Sequence, residues 1–142
     1  VEETLMLIKP DAVGKRAVGR IIARIEAEGF AVCGLRMAEL TQAQAEAFYR
    51  EHEGKPFFPR LVRFMTSGPI VALSLRRDDA VNALRALIGS TDSRKAEPGT
   101  IRAEFGTDNE ANAVHASDSV TSAARETAFF FSRLDTISVA ED

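Results

Sequence analysis

The sequence predicts an α/β sandwich around one core, and three observations carry that prediction. Leu5-Met6-Leu7-Ile8 is an unbroken apolar run, which suits a central strand covered on both faces. Further apolar runs alternate with stretches whose apolar residues recur at helical spacing. The chain has 142 residues, 45% of them apolar, so a single domain spanning 1–142 can bury a core without disulfide staples. Because the second strand leads to the third through a helical hairpin, the order suits a split βαβ unit; a small doubly wound sheet has a similar pattern and stays open.

The first strand is expected to run to Lys9, where Lys9-Pro10-Asp11 ends it. Val18, Ile21, Ile22 and Ile25 then mark a helix closed by Gly29, a residue suited to the left-handed position after a helix. Residues 31–39 read as the second strand. Thr41 and Gln44 have the spacing of a capping box, which opens a helix through about Arg50. Pro59 at a first helical turn, followed by Leu61, Val62 and Met65, supplies the other arm of the hairpin. Ser67-Gly68-Pro69 breaks it, Ile70–Leu75 forms the third strand, and Val81, Leu84, Leu87 and Ile88 make a helix that Gly89 stops. From Ser90 to Asn112 there is little periodicity beyond a short turn at 100–105, and so long a loop in a compact domain is usually functional. A short fourth strand at Ala113–Ala116 and a helix capped by Ser119 complete the order.

Charge narrows the function. The 18 basic and 21 acidic residues give a net charge of −3 spread along the chain, which excludes a protein that coats polyanions. Nucleic acid is not an obligatory partner, and any phosphate site must be local. The single cysteine, Cys33, cannot form an internal disulfide and lacks companions for a metal or redox centre. No apolar run approaches the roughly 20 residues that span a bilayer. The acidic start at Glu2 and Glu3 is unlike a signal peptide, so the expectation is a cytoplasmic protein without a membrane partner.

His115, flanked by small and polar residues after the long loop, is a candidate nucleophile, since imidazole titrates near neutrality. Alone it reads first as a hydrogen-bonded structural histidine. His52, in Glu51-His52-Glu53-Gly54, reads as surface structure at a helix end. No His/Cys/Asp/Glu spacing suits a transition metal, and Asp118 is expected to meet a metal only through substrate. Lys9, Arg85 and Arg102 with Thr91 offer three cations and a hydroxyl, the groups a triphosphate needs, though each cation alone reads as surface charge. Neither a G-x-x-x-x-G-K-[ST] loop nor a G-x-G-x-x-G fingerprint is present, so phosphate must be held in some other way. Of Phe57 and Phe58 at the hairpin tip, one suits the core and the other can offer its face to a nucleobase. Glu126 by itself reads as a solvated helix residue.

These residues belong to a longer pattern. Ile8-Lys9-Pro10-Asp11-Ala12-Val13, Lys55-Pro56-Phe57-Phe58, Met65-Thr66-Ser67-Gly68-Pro69, Pro98-Gly99-Thr100-Ile101-Arg102 and Asn112-x-x-His115-x-Ser117-Asp118-Ser119 together resemble the nucleoside diphosphate kinase family over nearly the full length. The last motif is the most specific. The resemblance implies a ferredoxin-like α/β sandwich, βαββαβ, with an antiparallel four-stranded sheet and an inserted helical hairpin.

It also implies a ping-pong exchange in which His115 takes the γ-phosphate of a triphosphate such as ATP and passes it to a diphosphate such as GDP. By the same carry-over, Lys9, Arg85, Thr91 and Arg102 hold phosphates, Asn112 bonds the sugar hydroxyl, and Phe57 stacks on the base with Leu61 and Tyr49 beside the nucleotide. Glu126 would fix the imidazole tautomer, with Ser117 and Asp118 in support. Magnesium would be held mainly by substrate phosphates and water, with no direct protein ligand. The family assembles as homotetramers or homohexamers, and the chain's end soon after Phe131-Ser132-Arg133 implies a bacterial-type member. Two departures stand out: Asp92-Ser93 where many members have Asn-Pro, and Ala116 where glycine is common.

Overall fold

A computed structural model of the chain describes residues 1–138; the last four of the domain expected over 1–142 lie outside the described residues. Strand β1 (Glu2–Ile8) leads into helices α1 (Pro10–Gly14) and α2 (Val18–Ala27), then β2 (Ala31–Ala38). Helices α3 (Gln42–Phe48) and α4 (Phe58–Met65) form the hairpin before β3 (Ile70–Arg77). After them come α5 (Ala80–Ile88), α6 (Ile101–Phe105), β4 (Val114–Ala116) and α7 (Val120–Phe130). The strands lie in the order β2-β3-β1-β4, every pair antiparallel. That is the ferredoxin-like arrangement, and the doubly wound alternative is excluded because such sheets are mostly parallel.

The Leu5–Ile8 run is apolar throughout because both faces of β1 are covered. Met6 and Ile8 pack with Leu73 and Leu75 of β3 against Ile21 and Ile25 of α2 and Leu84 and Ile88 of α5. Leu5 and Leu7 point the other way, onto Phe48, Val62, Met65 and Phe130 from α3, α4 and α7. Fully burying each such side chain stabilises the fold by about 1.5–3 kcal/mol before entropy is counted. Thr41 and Gln44 close the capping box in both directions, at 3.1 and 2.9 Å.

β1 ends at Ile8, one residue before the expected end at Lys9. Lys9 is the N-cap of α1, a helix that the sequence pattern did not predict; Pro10 starts this helix rather than breaking the chain. β2 carries a bulge at Cys33, with Val32 opposite Leu75 but Gly34 opposite Ser74. A Cβ at Gly34 would stand 3.1 Å from the Phe131 ring, so the bulge sets a bare backbone under that ring. The Cys33 carbonyl accepts the Ile137 N–H at 2.9 Å.

Candidate active site

Strand alternation places His115. Val114 and Ala116 of β4 face the α2/α5 core, so His115 between them, opposite Leu7, turns toward α3 and α7. There the Phe48 and Tyr49 rings meet its imidazole edge-on, at 5.4 and 5.8 Å. Ser119 caps α7 by accepting the Ser122 N–H at 3.0 Å, and two turns later Glu126 brings Oε1 to 2.7 Å from His115 Nε2. A carboxylate at that nitrogen makes Nε2 the N–H donor and leaves Nδ1 with its lone pair. Ser117 Oγ donates to the same Oε1 at 2.9 Å.

Burial favours a neutral Glu126, which is 3% exposed. The hydrogen bond and charge of His115, with Ser117 and Arg125, outweigh it and hold the carboxyl below its usual range. Tyr49 is pushed the opposite way: burial and then the Glu126 charge raise its phenol well above the ordinary value. It is a neutral hydroxyl at any physiological pH.

The cations converge from separate elements. Lys9 Nζ donates to the Glu110 carbonyl at 2.9 Å and Asn112 Oδ1 at 2.8 Å. Burial, partly offset by Asp11, lowers its pKa to about 8. Arg102, on α6, donates to the Gly89 and Val114 carbonyls, and its buried Nε has no partner among the described residues. Burial and the neighbouring Arg85 lower its pKa to about 10. Arg85, on α5, donates to the Ala116 carbonyl at 3.3 Å. Asn112 Nδ2 completes the cradle by donating to the Thr91 carbonyl at 2.9 Å. Ala113 holds a left-handed φ of +73°, anchored by its N–H to Asp11 Oδ2 at 3.0 Å.

These groups line one cleft of about 480 Å3. Every sequence-nominated site residue reaches it except Ser117, which is buried behind Glu126. Phe57 stands 48% exposed in the lining, whereas Phe58 packs against the core, so the aromatic pair divides as expected. His52 departs from its reading as plain surface structure. It lies in the cleft, its ring stacked on Tyr49 at 6.3 Å and 5.3 Å from Phe57. Glu51 and Asn109 also line the cleft and were not singled out. The signal for His52 was its position three residues after Tyr49, on the same side of a helical turn.

The loop that lacks Asn-Pro is braced in another way. Asp92 accepts the Arg94 N–H at 3.0 Å and pairs with its guanidinium at 2.9 Å, while Ser93 N–H reaches the Asp108 carbonyl at 3.2 Å. Among the described residues no three His, Cys, Asp or Glu side chains converge as metal ligands. The cleft carboxylates Asp118, Glu51 and Glu126 are spread around three cations, a donor set suited to a cation that arrives on phosphate. A larger groove of about 700 Å3 along α7 has one arginine facing two glutamates and no imidazole.

The comparisons agree with this geometry. The family model for nucleoside diphosphate kinase matches residues 2–136. A nucleoside diphosphate kinase of Psychromonas ingrahamii is 53% identical over 132 residues, covering 93% of this chain and 92% of that protein. The Aquifex aeolicus nucleoside diphosphate kinase superposes with a TM-score of 0.94 at 48% identity, over 96% of this chain and 99% of that one. A halophilic nucleoside diphosphate kinase from Halobacterium salinarum, solved in complex with CDP, gives 0.96 at 38% identity over 99% and 94%. This chain is therefore a phosphotransferase that belongs to the nucleoside diphosphate kinase family.

Proposed function

We propose that His115 carries the phosphoryl group in a ping-pong exchange between nucleoside tri- and diphosphates. The observation that supports it most is the 2.7 Å bond between His115 Nε2 and Glu126, which keeps the proton on one ring nitrogen and the lone pair on the other. Nδ1 attacks the γ-phosphorus as the bond to the β–γ bridging oxygen breaks, and the diphosphate leaves with that oxygen. Glu126 stabilises the positive charge that the ring gains. In the second half-reaction a terminal oxygen of another diphosphate attacks the phosphohistidine and Nδ1 leaves.

Lys9, Arg85, Thr91 and Arg102 hold the phosphates, Arg102 itself being fixed by the Gly89 and Val114 carbonyls. Asn112 bonds the sugar hydroxyl, Phe57 stacks on the base, Leu61 and Tyr49 flank the nucleotide, and Ser117 and Asp118 support the histidine and its neighbours. Magnesium would arrive on the substrate phosphates, meeting Asp118 only through them, and would supply neutralisation of the charge that develops on transfer. The chain works as one domain in the cytoplasm; no described helix is long and apolar enough to cross a membrane. A homotetramer or homohexamer is the proposed assembly. Edge strand β2 with exposed Leu35 and Met37 supports contact between copies, and sedimentation as a monomer would refute it.

Incubation with γ-labelled ATP and magnesium tests the chemistry. Wild type should take up acid-labile, base-stable label that added GDP removes as GTP, and His115→Ala should take up none. Unlabelled, folded wild type would turn the reading toward a module that only binds nucleotides.

A further inference from the structure

Arg125 stands next to Glu126 on α7 and has no assigned part in the chemistry just described. It reaches both structures that hold the imidazole. One arm, Nη2, lies 3.6 Å from Glu126 Oε2, the oxygen that His115 and Ser117 leave free. The other, Nη1, donates to the Phe48 carbonyl at 3.2 Å. That carbonyl is at the C-terminal end of α3, where a cation also complements the helix dipole. The guanidinium carbon sits 5.9 Å from the Phe48 ring centroid, and Phe48 is one of the two rings packed edge-on against His115. Nη2 is 4.0 Å from Glu51 Oε1, and Glu51 in turn is 3.7 Å from His52 Nε2 in the cleft wall.

A fork that spans two elements has a consequence a point charge lacks. α3 and α7 are far apart in sequence, and the imidazole is clamped between them: the carboxylate comes from α7, the aromatic edge from α3. We infer that Arg125 is a positioning residue for phosphoryl transfer, tying Glu126 and Phe48 into one frame around His115. This rests on the phosphohistidine reading. The groups facing Glu126 are His115 and Ser117 from the β4 end, Tyr49 from the hairpin, and Arg125 from its own helix. Glu51 and His52 act on it only through Arg125. Removing the cation therefore leaves a buried carboxylate that protonates more readily, and the tautomer it enforces is lost at a higher pH.

The test is single-turnover phosphorylation of His115 by ATP, followed across pH in wild type, Arg125→Met and Arg125→Lys, with diphosphate affinity measured alongside. Arg125→Met is expected to slow labelling by about tenfold with diphosphate affinity within about twofold of wild type, the scale at which groups behind a reactive centre act. The acid limb of its rate profile should move to higher pH. Arg125→Lys should return that limb to its wild-type place but leave the rate several-fold low, since one ammonium cannot bond the Phe48 carbonyl and face Glu126 at once. Wild-type rate and an unmoved acid limb in Arg125→Met would overturn the inference, as would slow labelling in both variants with neither limb moved. If Arg125→Met does not fold, Arg125→Lys decides: full rate there refutes the fork. Failure of the phosphohistidine reading looks different, as absence of label on wild type itself.

Discussion

Lys9 keeps its ammonium in a cleft where burial opposes the charge, and two hydrogen bonds, to the Glu110 carbonyl and Asn112 Oδ1, hold it in place. With a pKa lowered to about 8, the free enzyme loses this cation as pH rises through that value. Diphosphate affinity should therefore weaken above about pH 8 in wild type and become nearly pH-independent there in Lys9→Met, as titration calorimetry at pH 7 and 9 would show; an equal loss in both would assign the effect elsewhere. Phe57 poses the opposite question, a large ring left half-exposed. Stacking accepts every base, so Phe57→Ala should raise the KM for all diphosphates by a similar factor, about tenfold for about 1–2 kcal/mol of lost stacking. A loss confined to one base would refute the stacking role. Neither residue was assignable by periodicity: Lys9 meets Asn112 across 103 positions of sequence, a convergence that local pattern does not encode. What exposed it was the longer motif around His115.

Among the elements, those with strong local chemistry were legible. Thr41 with Gln44 and Ser119 gave helix starts at the right residues because a cap is a contact between near neighbours. Helix α1 was hidden because Lys9-Pro10 reads as a break when the proline in fact occupies a first helical position. The loop after α5 hid a turn at Ser93–Lys95, too short to show a period, whereas the short turn expected at 100–105 is helix α6. That region depends on Gly89. Its φ is +87°, a Cβ there would lie 2.6 Å from Thr100 Oγ1, and its carbonyl accepts from Arg102. Gly89→Ala should cost about 1–3 kcal/mol of stability from backbone strain alone, more where Thr100 cannot yield. It should also weaken diphosphate binding by displacing Arg102. Urea unfolding and calorimetry check both parts, and unchanged values would show that the loop relaxes freely.

Taken whole, the molecule stabilises against pH in a pattern opposite to its ligand affinity. Between about pH 8 and the ordinary lysine value of 10.5, unfolded Lys9 binds a proton that folded Lys9 has lost, so stability rises with pH in that window. Near pH 10 Tyr49 begins to oppose this, because its phenol stays protonated when folded and ionises when unfolded. Glu126 acts at the other end: its lowered pKa gives stability that is present above the unfolded carboxyl value and lost as pH falls through the folded one. Urea midpoints should thus increase from pH 7.5 to 9 in wild type but not in Lys9→Met; a parallel rise in both would locate the effect in another group. At the far edge of the sheet, the bulge at Cys33 makes β2 answer to residue count. Val32 and Gly34 are two apart yet lie on opposite faces because Cys33 is the extra residue between them, so deleting Cys33 would leave a regular strand, whereas deleting Leu35 would turn the rest of the strand over. In that second case Arg36 would leave the Phe130 carbonyl, and Met37 would swing toward the face where Gly34 now admits Phe131. Length is thus open to change at the bulge and closed to it along the rest of β2, where an insertion or deletion is tolerated only with a matching one beside it.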